Sequence, residues 1–254
     1  MKGNALIGQS GGPTSVINAS LYGAISTALS SPRIDKVFGM RYGVEGFMNH
    51  EIVDLGKEDR SRLELLMKTP SSALGSCRYK LIEDDLPKVF SLLEKLNIRF
   101  LFMIGGNDTM DTIHRIEAYA ASRGYELSGV GIPKTVDNDL FGTDHTPGYP
   151  SAARYTTLSV TQAGLLSCDM QRVDRFVVHQ TVGRDAGWLA ASSALARDRE
   201  GGAPHIILLP ERPISRDVLL DSVKTAADTH GFAYVVVGEG APWDNGNPIS
   251  SSAT

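Results

Sequence analysis

Cysteine is scarce in this sequence: the two that occur, Cys77 and Cys168, lie far apart in a chain of 254 residues. Their separation matches no zinc-type spacing, so the sequence offers no cysteine metal site. Neither has an activating base close by in sequence, and catalytic use is therefore not expected. We expect two reduced, structural thiols in a cytosol, and hence a cytoplasmic protein.

Long apolar runs and a strong charge excess are also missing. No run of about 18 apolar residues occurs, so no membrane span is predicted. The N-terminus enters a predicted strand almost at once, so no signal peptide is visible. The net charge of -4 argues against nucleic acid as the main partner. The rest of the composition, 42% hydrophobic and 21% charged, is ordinary for a soluble protein.

Apolar strand-like runs alternate with helical patterns along the chain. Strands are predicted near 4–9, 36–40, 98–104, 127–132, 176–182, 205–209 and 233–238. Helices are predicted near 14–30, 58–67, 85–96, 109–123, 150–167, 186–198 and 215–230. This alternation predicts an α/β fold whose parallel sheets are covered by helices on both faces. Because ligands bind at the carboxyl ends of such strands, loops 10–15, 105–109 and 133–139 are expected to lie near one another.

Two stretches of polar, glycine-containing sequence interrupt the alternation. The first, at 143–148, predicts a domain boundary near residue 145, which divides the chain into domains 1–145 and 146–254. The second, at 244–254, is rich in glycine, proline and serine, and we expect disorder there.

Two glycine pairs each follow an apolar strand and precede a helical pattern. In the first, Gly11 and Gly12 allow a sharp turn, and the helix start predicted at Pro13 and Thr14 would stabilise an anion. The second pair opens the segment 105–109. Neither matches the P-loop or the dinucleotide fingerprint, so the pattern predicts a different phosphate-binding arrangement. An ordinary strand-to-helix turn is the alternative.

The segment Pro133 to Asp139 reads Pro-Lys-Thr-Val-Asp-Asn-Asp and follows an apolar run. Its two carboxylates beside a lysine and a threonine suit chemistry on a phosphate. One carboxylate can take a proton from a hydroxyl while the lysine and a metal ion hold the anionic group that moves. Taken alone, the segment could equally be a hydrogen-bonded turn.

Six segments, in order along nearly the whole chain, resemble the phosphofructokinase family and in particular its pyrophosphate-dependent branch. Segment 10–19 is similar to the first phosphate loop, and segment 74–78 is similar to the segment that carries the bridging arginine. Segments 105–109 and 133–139 are similar to the GGDGS or GGDDS motif and to the PKTIDND motif. Segments 182–187 and 210–211 are similar to the MGR-x-x-G and PE motifs. The resemblance implies two Rossmann-like three-layer αβα domains with mainly parallel sheets. Residues 1–145 would be the phosphoryl-donor-binding domain and 146–254 a partial sugar-phosphate-binding domain, with the C-terminal part of the family fold expected to be absent.

The resemblance also implies a reaction, the reversible glycolytic transfer of a phosphoryl group to the 1-hydroxyl of fructose 6-phosphate. Asp137 is then the expected general base. Asp139 should help to position a metal or the transferring group, and Thr135 should contact the sugar phosphate site or the moving phosphoryl. Such chemistry needs little covalent help and much alignment and charge stabilisation.

The remaining roles follow from the same resemblance. On the donor side, Gly12 should offer its amide to pyrophosphate and Arg78 should bridge the two substrates. The other expected donor-binding residues are Gly106, Asp108 and Lys134. The residues expected to bind the sugar phosphate are Val182, Gly183, Arg184 and Glu211. Arg175 lies where the family has an arginine that reaches across a subunit interface.

Asp108 and Lys134 together favour pyrophosphate as the donor, since ATP-dependent members usually have glycine at both positions. A carboxylate beside the pocket repels and crowds a nucleotide, whereas a lysine compensates a compact pyrophosphate. Both residues are therefore also counted as catalytic. The alternatives are an ATP-dependent 6-phosphofructokinase and a catalytically silent phosphate-binding relative.

Magnesium, the expected cofactor, is assigned to Asn107, which replaces the family's metal-binding aspartate and is a weaker ligand for a hard cation. The expected partners are fructose 6-phosphate and pyrophosphate, with no nucleic acid and no membrane, in a homo-oligomer, either dimer or tetramer. Outside the motifs, His145 and His179 are predicted to be structural, and Trp188 is predicted to lie in the core.

Overall fold

The computed structural model describes residues 1–251 and divides the chain into two compact units. The first unit is Met1–Thr135 and the second begins at Val136. The break therefore precedes the predicted boundary near 145. The reason is local: the Asn138 side chain bonds to the backbone of Asp144 and Thr146, which ties this segment to the residues that follow it. Among the described residues, no helix is long and apolar enough to cross a membrane.

The first unit contains a five-stranded sheet in the order β3-β2-β1-β4-β5. Its strands are β1 (Gly3–Gln9), β2 (Ile34–Met40), β3 (Ile52–Asp54), β4 (Ile98–Gly105) and β5 (Ser128–Pro133). All neighbours are parallel except β2 and β3. Its α-helices are α1 (Ile17–Ser30), α2 (Gly43–Met48), α3 (Arg60–Glu64), α4 (Leu86–Lys95) and α5 (Asn107–Ser122). Short 3-10 helices span Leu55–Lys57, Leu65–Lys68 and Glu83–Asp85.

Successive side chains of β1 enter different cores, as the twofold period of a strand requires. Leu6 packs in a cluster that includes residues of α2, α4 and α5. Its neighbours Ala5 and Ile7 pack in another cluster, with α1 and Leu63 of α3. Helices therefore cover both faces of the sheet, and the three-layer αβα prediction is confirmed for this unit.

The second unit contains a three-stranded parallel sheet in the order β6-β8-β7. Its elements are β6 (Phe176–Thr181), β7 (Ile206–Leu208), β8 (Ala233–Gly238), α6 (Tyr149–Asp169), α7 (Trp188–Ser192), α8 (Arg216–His230) and the 3-10 helices Ser193–Ala196 and Ile249–Ser251. Tyr234 and Val236 of β8 pack with residues of α6 and α7. Val235 and Val237 pack instead with residues of α8. This unit too has helices on both faces of a parallel sheet.

Every predicted strand is confirmed, but several helices differ at their ends. The α1 helix begins at Ile17, not at residue 14, because the Thr14 hydroxyl accepts a hydrogen bond from the Ile17 amide at 3.2 Å. The predicted helices near 58–67 and 186–198 each divide into an α-helix and a 3-10 turn. The antiparallel β3 strand and the short α2 helix were not predicted, since neither is long enough to show a period.

The predicted disorder at 244–254 is wrong for the residues that the structure describes. The amide of Trp243 donates to the carbonyl of Asn247, and that of Asp244 donates to the carbonyl of Ile214. Residues 252–254 lie outside the described residues.

Candidate functional site

Lys134 and the first glycine loop meet at the carboxyl edge of the first sheet. Since Pro133 ends β5 in register with Gly105, Lys134 leaves the sheet at that edge. Its ammonium donates a hydrogen bond to the Gly12 carbonyl at 2.8 Å, and only 3% of the side chain is exposed. A buried cation thus lies against the loop that was predicted to bind phosphate.

The loop itself has an unusual backbone. Gly11 has a φ of +75°, and a Cβ there would lie 3.1 Å from the Lys134 Nζ atom. Gly12, in contrast, is exposed and has open space where its Cβ would be. The loop can therefore approach a ligand through its backbone at Gly12.

The helix start from which the anion site was predicted differs in the structure. The helix begins five residues after Gly12, and its first amide is already taken by Thr14. A positive group that does lie against the loop is the Lys134 ammonium.

A buried amide pair, Gln9 and Asn18, holds the loop and was missed by the sequence analysis. The Gln9 side chain donates to Asn18 Oδ1 at 3.0 Å and accepts from the Ser72 hydroxyl and the Leu74 amide. Asn18 in turn accepts from the Ala73 amide at 2.8 Å. These bonds join the end of β1 and the start of α1 to the segment that leads to the predicted arginine. No sequence pattern predicts the bonds to this segment, because it lies more than fifty residues from Gln9 and Asn18.

The second glycine loop is shorter than predicted, because α5 begins at Asn107 with Gly106 as its N-cap residue. Asn107 and Asp108 thus lie in the first turn and are exposed. The turn is tight: a Cβ on Gly105 would lie 2.1 Å from the Thr109 hydroxyl. The positive end of the α5 dipole favours an anion at this turn, whereas the Asp108 carboxylate opposes one.

Arg78 is exposed on the segment that follows Gly75, within the same first unit. Among residues 1–251 no hydrogen bond or ion pair holds its guanidinium. The segment itself is fixed, since the Gly11 amide donates to the Cys77 carbonyl at 3.2 Å. Arg78 is therefore an exposed cation on a hydrogen-bonded segment, which suits contact with a substrate phosphate.

In the second unit, Asp137 lies in a strongly acidic environment. Burial raises the pKa of its carboxyl group above the ordinary value, and the charges of Asp139 and Glu239 raise it further. The Arg184 guanidinium lowers the pKa of Asp137, whereas the charge of Asp185 raises it. A half-buried carboxylate with a raised pKa is a better proton acceptor than an ordinary aspartate. Glu239 and Asp185 were not among the predicted residues.

Thr135 and Asp139, which were also predicted as site residues, each lie two residues from Asp137 in sequence. Thr135 is half-buried and ends the first unit, whereas Asp139 is exposed.

The arginine motif and Glu211 come together in the second unit. One Glu211 oxygen accepts a hydrogen bond from the Gly187 amide at 2.8 Å, and a Cβ on Gly187 would lie 2.6 Å from the other oxygen. Gly183 has a φ of +121°, while Val182 and Arg184 beside it are exposed. Glu211 thus holds the turn on which Arg184 lies.

Arg175 lies against α8. Its guanidinium contacts the Ala227 carbonyl and the Asp228 carboxylate, at 3.3 and 3.4 Å. The Arg175 side chain is 59% exposed, so this ion pair contributes little and does not prevent another contact.

His179 and His145, which were predicted to be structural, each contact a tyrosine. The prediction for Trp188 is wrong. His179 Nδ1 lies 3.0 Å from the Tyr234 hydroxyl, and burial lowers the pKa of His179. The His145 ring stacks with that of Tyr149. Trp188 was predicted to lie in the core, but it is 52% exposed because it begins the short α7 helix at the surface.

Comparisons with known proteins agree on one family. Residues 4–253 match the family described as Phosphofructokinase. The pyrophosphate–fructose 6-phosphate 1-phosphotransferase of Rhodospirillum rubrum is 39% identical over 98% of this chain and 61% of its own length. The protein of the same name from Xanthomonas campestris is 42% identical over 94% of this chain and 58% of its own.

A solved structure gives the same result for the fold. The crystal structure of a pyrophosphate-dependent phosphofructokinase from Marinobacter aquaeolei matches with a TM-score of 0.87 at 38% identity. The match covers 95% of this chain and 62% of that one. The chain therefore spans less than two thirds of the length of each of these relatives.

Proposed function

Because the chain belongs to the phosphofructokinase family, we propose that it transfers a phosphoryl group from pyrophosphate to the 1-hydroxyl of fructose 6-phosphate. The products are fructose 1,6-bisphosphate and phosphate, and the reaction is a reversible step of glycolysis. The observation that carries the proposal is the buried Lys134 ammonium, 2.8 Å from the Gly12 carbonyl. The names of the relatives that cover most of the chain support the same reaction.

The donor half of the reaction is assigned to the first unit. Lys134 provides a fixed positive charge beside the Gly12 backbone, and Arg78 adds a second one that is always ionised. The exposed Asp108 carboxylate, in the first turn of α5, disfavours a bulky and highly charged nucleotide. Gly106 ends the loop and lets α5 begin there. These charges select a small, compact donor.

The acceptor half is assigned to the second unit. The Asp137 carboxylate takes the proton of the 1-hydroxyl as the oxygen attacks phosphorus, and its raised pKa makes it a suitable base. Arg184 and Arg175 are assigned to the phosphate of the sugar, for which a planar guanidinium is suited. Glu211 accepts a hydrogen bond from the Gly187 amide and is assigned to accept hydrogen bonds from the sugar. Thr135, the last residue of the first unit, is assigned to contact the phosphoryl group that moves, and Asp139 is assigned to position it.

Magnesium is proposed as the cofactor, and two neighbouring side chains offer oxygen ligands for it. Asn107 and Asp108 offer hard oxygen donors in the exposed first turn of α5. Within residues 1–251 no group of three or more acidic, histidine or cysteine residues could hold a metal. Asn107 and Asp108 would therefore hold the ion together with substrate phosphates and water, as is usual for Mg²⁺. When bound, the ion neutralises charge on the phosphates.

We also propose that the protein is cytoplasmic and forms a homo-oligomer. The functional test is turnover of fructose 6-phosphate by the full-length protein with pyrophosphate or ATP as donor. We expect pyrophosphate to be used and ATP to give little or no product. Faster turnover with ATP would reassign the donor, and absence of turnover with both would indicate a phosphate-binding protein without activity.

A further inference from the structure

Asn138, between the two predicted carboxylates, has a left-handed backbone. Its φ is +57°, and it is 6% exposed. Residues other than glycine adopt this conformation rarely, and asparagine is one of those that tolerate it best. The chain therefore bends between Asp137 and Asp139 and does not continue as an extended strand. This conformation has to be held in place by surrounding contacts.

Those contacts are made by the Asn138 side chain. Its Nδ2 atom donates to the Asp144 carbonyl at 2.9 Å, and its Oδ1 atom accepts from the Thr146 amide at 2.7 Å. Both ends of one amide group are thus bonded to the same short segment. The loop from 139 to 145 is closed by these two bonds.

The far end of this loop is fixed to the longest helix of the second unit. Thr146 is fully buried, and its carbonyl accepts a hydrogen bond from the amide of Tyr149, the first residue of α6. The α6 helix runs for 21 residues and places Val160 in the core. Asn138 therefore connects the acidic turn to a helix that is packed into the unit.

We propose that Asn138 is a positioning residue, which fixes the direction in which the Asp137 carboxylate leaves the turn. The proposal rests on the proposed function, in which Asp137 is the general base. A base must come within about 3 Å of the proton that it removes, and a displacement of about 1 Å lowers the rate about 100-fold. Burial of the Asn138 amide makes its bonds hard to replace with water.

The chain offers a matched control for this proposal. Asn97 is also an asparagine with a left-handed backbone, at φ +46°, but it is exposed and lies between α4 and β4 in the first unit. Glycine adopts this backbone without strain, so Asn138→Gly and Asn97→Gly remove a side chain and keep the conformation. Asn138→Ala additionally disfavours the left-handed backbone.

The first experiment is steady-state kinetics of the full-length protein with pyrophosphate and fructose 6-phosphate. We expect Asn138→Gly to lower kcat by about 30- to 100-fold, with the KM for pyrophosphate changed less than about threefold. Asn138→Ala should lower kcat further, and Asn97→Gly should leave kcat unchanged. Wild-type kcat in Asn138→Gly, or equal losses in the two glycine variants, would overturn the proposal.

The second experiment does not depend on turnover. Hydrogen exchange of the Thr146 amide should be slow in the wild type and at least about tenfold faster in Asn138→Gly, because the accepting Oδ1 atom is gone. Unchanged protection would overturn the proposal. A wild-type protein that shows slow Thr146 exchange but no turnover with pyrophosphate would instead disprove the proposed function.

Discussion

Lys134 in the first unit and Asp137 in the second lie in opposite electrostatic surroundings. The Lys134 ammonium is buried, but it donates to a backbone carbonyl, so its charge meets a compensating dipole. The Asp137 carboxylate is half-buried, and burial together with the charges of three further carboxylates raises its pKa, against the opposing effect of the Arg184 guanidinium. Under the proposed function, the first arrangement places a cation beside the anionic donor, and the second favours uptake of a proton. Two residues almost adjacent in sequence would then serve different parts of the proposed reaction.

The contrast between the two residues is tested most severely by removing the proposed base. Asp137→Asn should lower kcat by about 1,000-fold, within the range that general bases contribute. The KM for each substrate should change little, since the side chain keeps its size and shape. Asp144→Asn is the control, because it makes the same change on an exposed residue of the following loop. A kcat within threefold of the wild type would exclude Asp137 as the base.

Removing the cation should act on the donor and not on proton transfer. Lys134→Met should raise the KM for pyrophosphate by about 30- to 100-fold, because charge-assisted hydrogen bonds contribute about 2 to 3 kcal/mol. The KM for fructose 6-phosphate should change far less. Lys36→Met, at an exposed position of β2, should leave both constants unchanged. Equal increases for both substrates would indicate general damage to the fold.

A smaller effect, on the pH dependence of kcat/KM, is expected from the acidic groups that act on Asp137. A general base acts when ionised, so its raised pKa predicts that kcat/KM falls on acidification at a higher pH than an ordinary aspartate would allow. Glu239→Gln removes one of the charges that raise the pKa of Asp137, so the acidic limb should move to lower pH. The pH profile of kcat/KM measures this directly. A shift to higher pH would contradict the assigned environment.

The smallest predicted effect is on stability. Because the folded-state pKa of Asp137 is raised, its ionised form is disfavoured in the fold. The contribution of this carboxyl group to the free energy of unfolding is most favourable below the unfolded-state pKa, and it is lost as the pH rises through the folded-state pKa. Asp137→Asn should therefore raise Tm at neutral pH by about 1 to 3 °C, with no gain at pH 3. A lower Tm at neutral pH would show that hydrogen bonds outweigh this electrostatic strain.

The periodic parts of the fold were predictable because their patterns are local. The buried run Ile98–Gly105 and the motif residues that follow β4 and β5 are visible without any tertiary contact. Helix starts were less predictable. Thr14 is a plausible first residue of a helix, but its hydroxyl is used to cap Ile17. Competition between a side chain and the backbone for the same amide decides such boundaries.

The α/β class, the order of the loops and the chemical types of the candidate residues follow from the sequence alone, since they depend on periodicity and on side-chain identity. The folded structure was needed to show that Gln9 and Asn18 join segments more than fifty residues apart, and that the charges of Glu239 and Asp185 act on Asp137. Hydrogen bonds between distant segments, and the loss of water around a charge, depend on which residues the fold brings together. No local pattern contains that information.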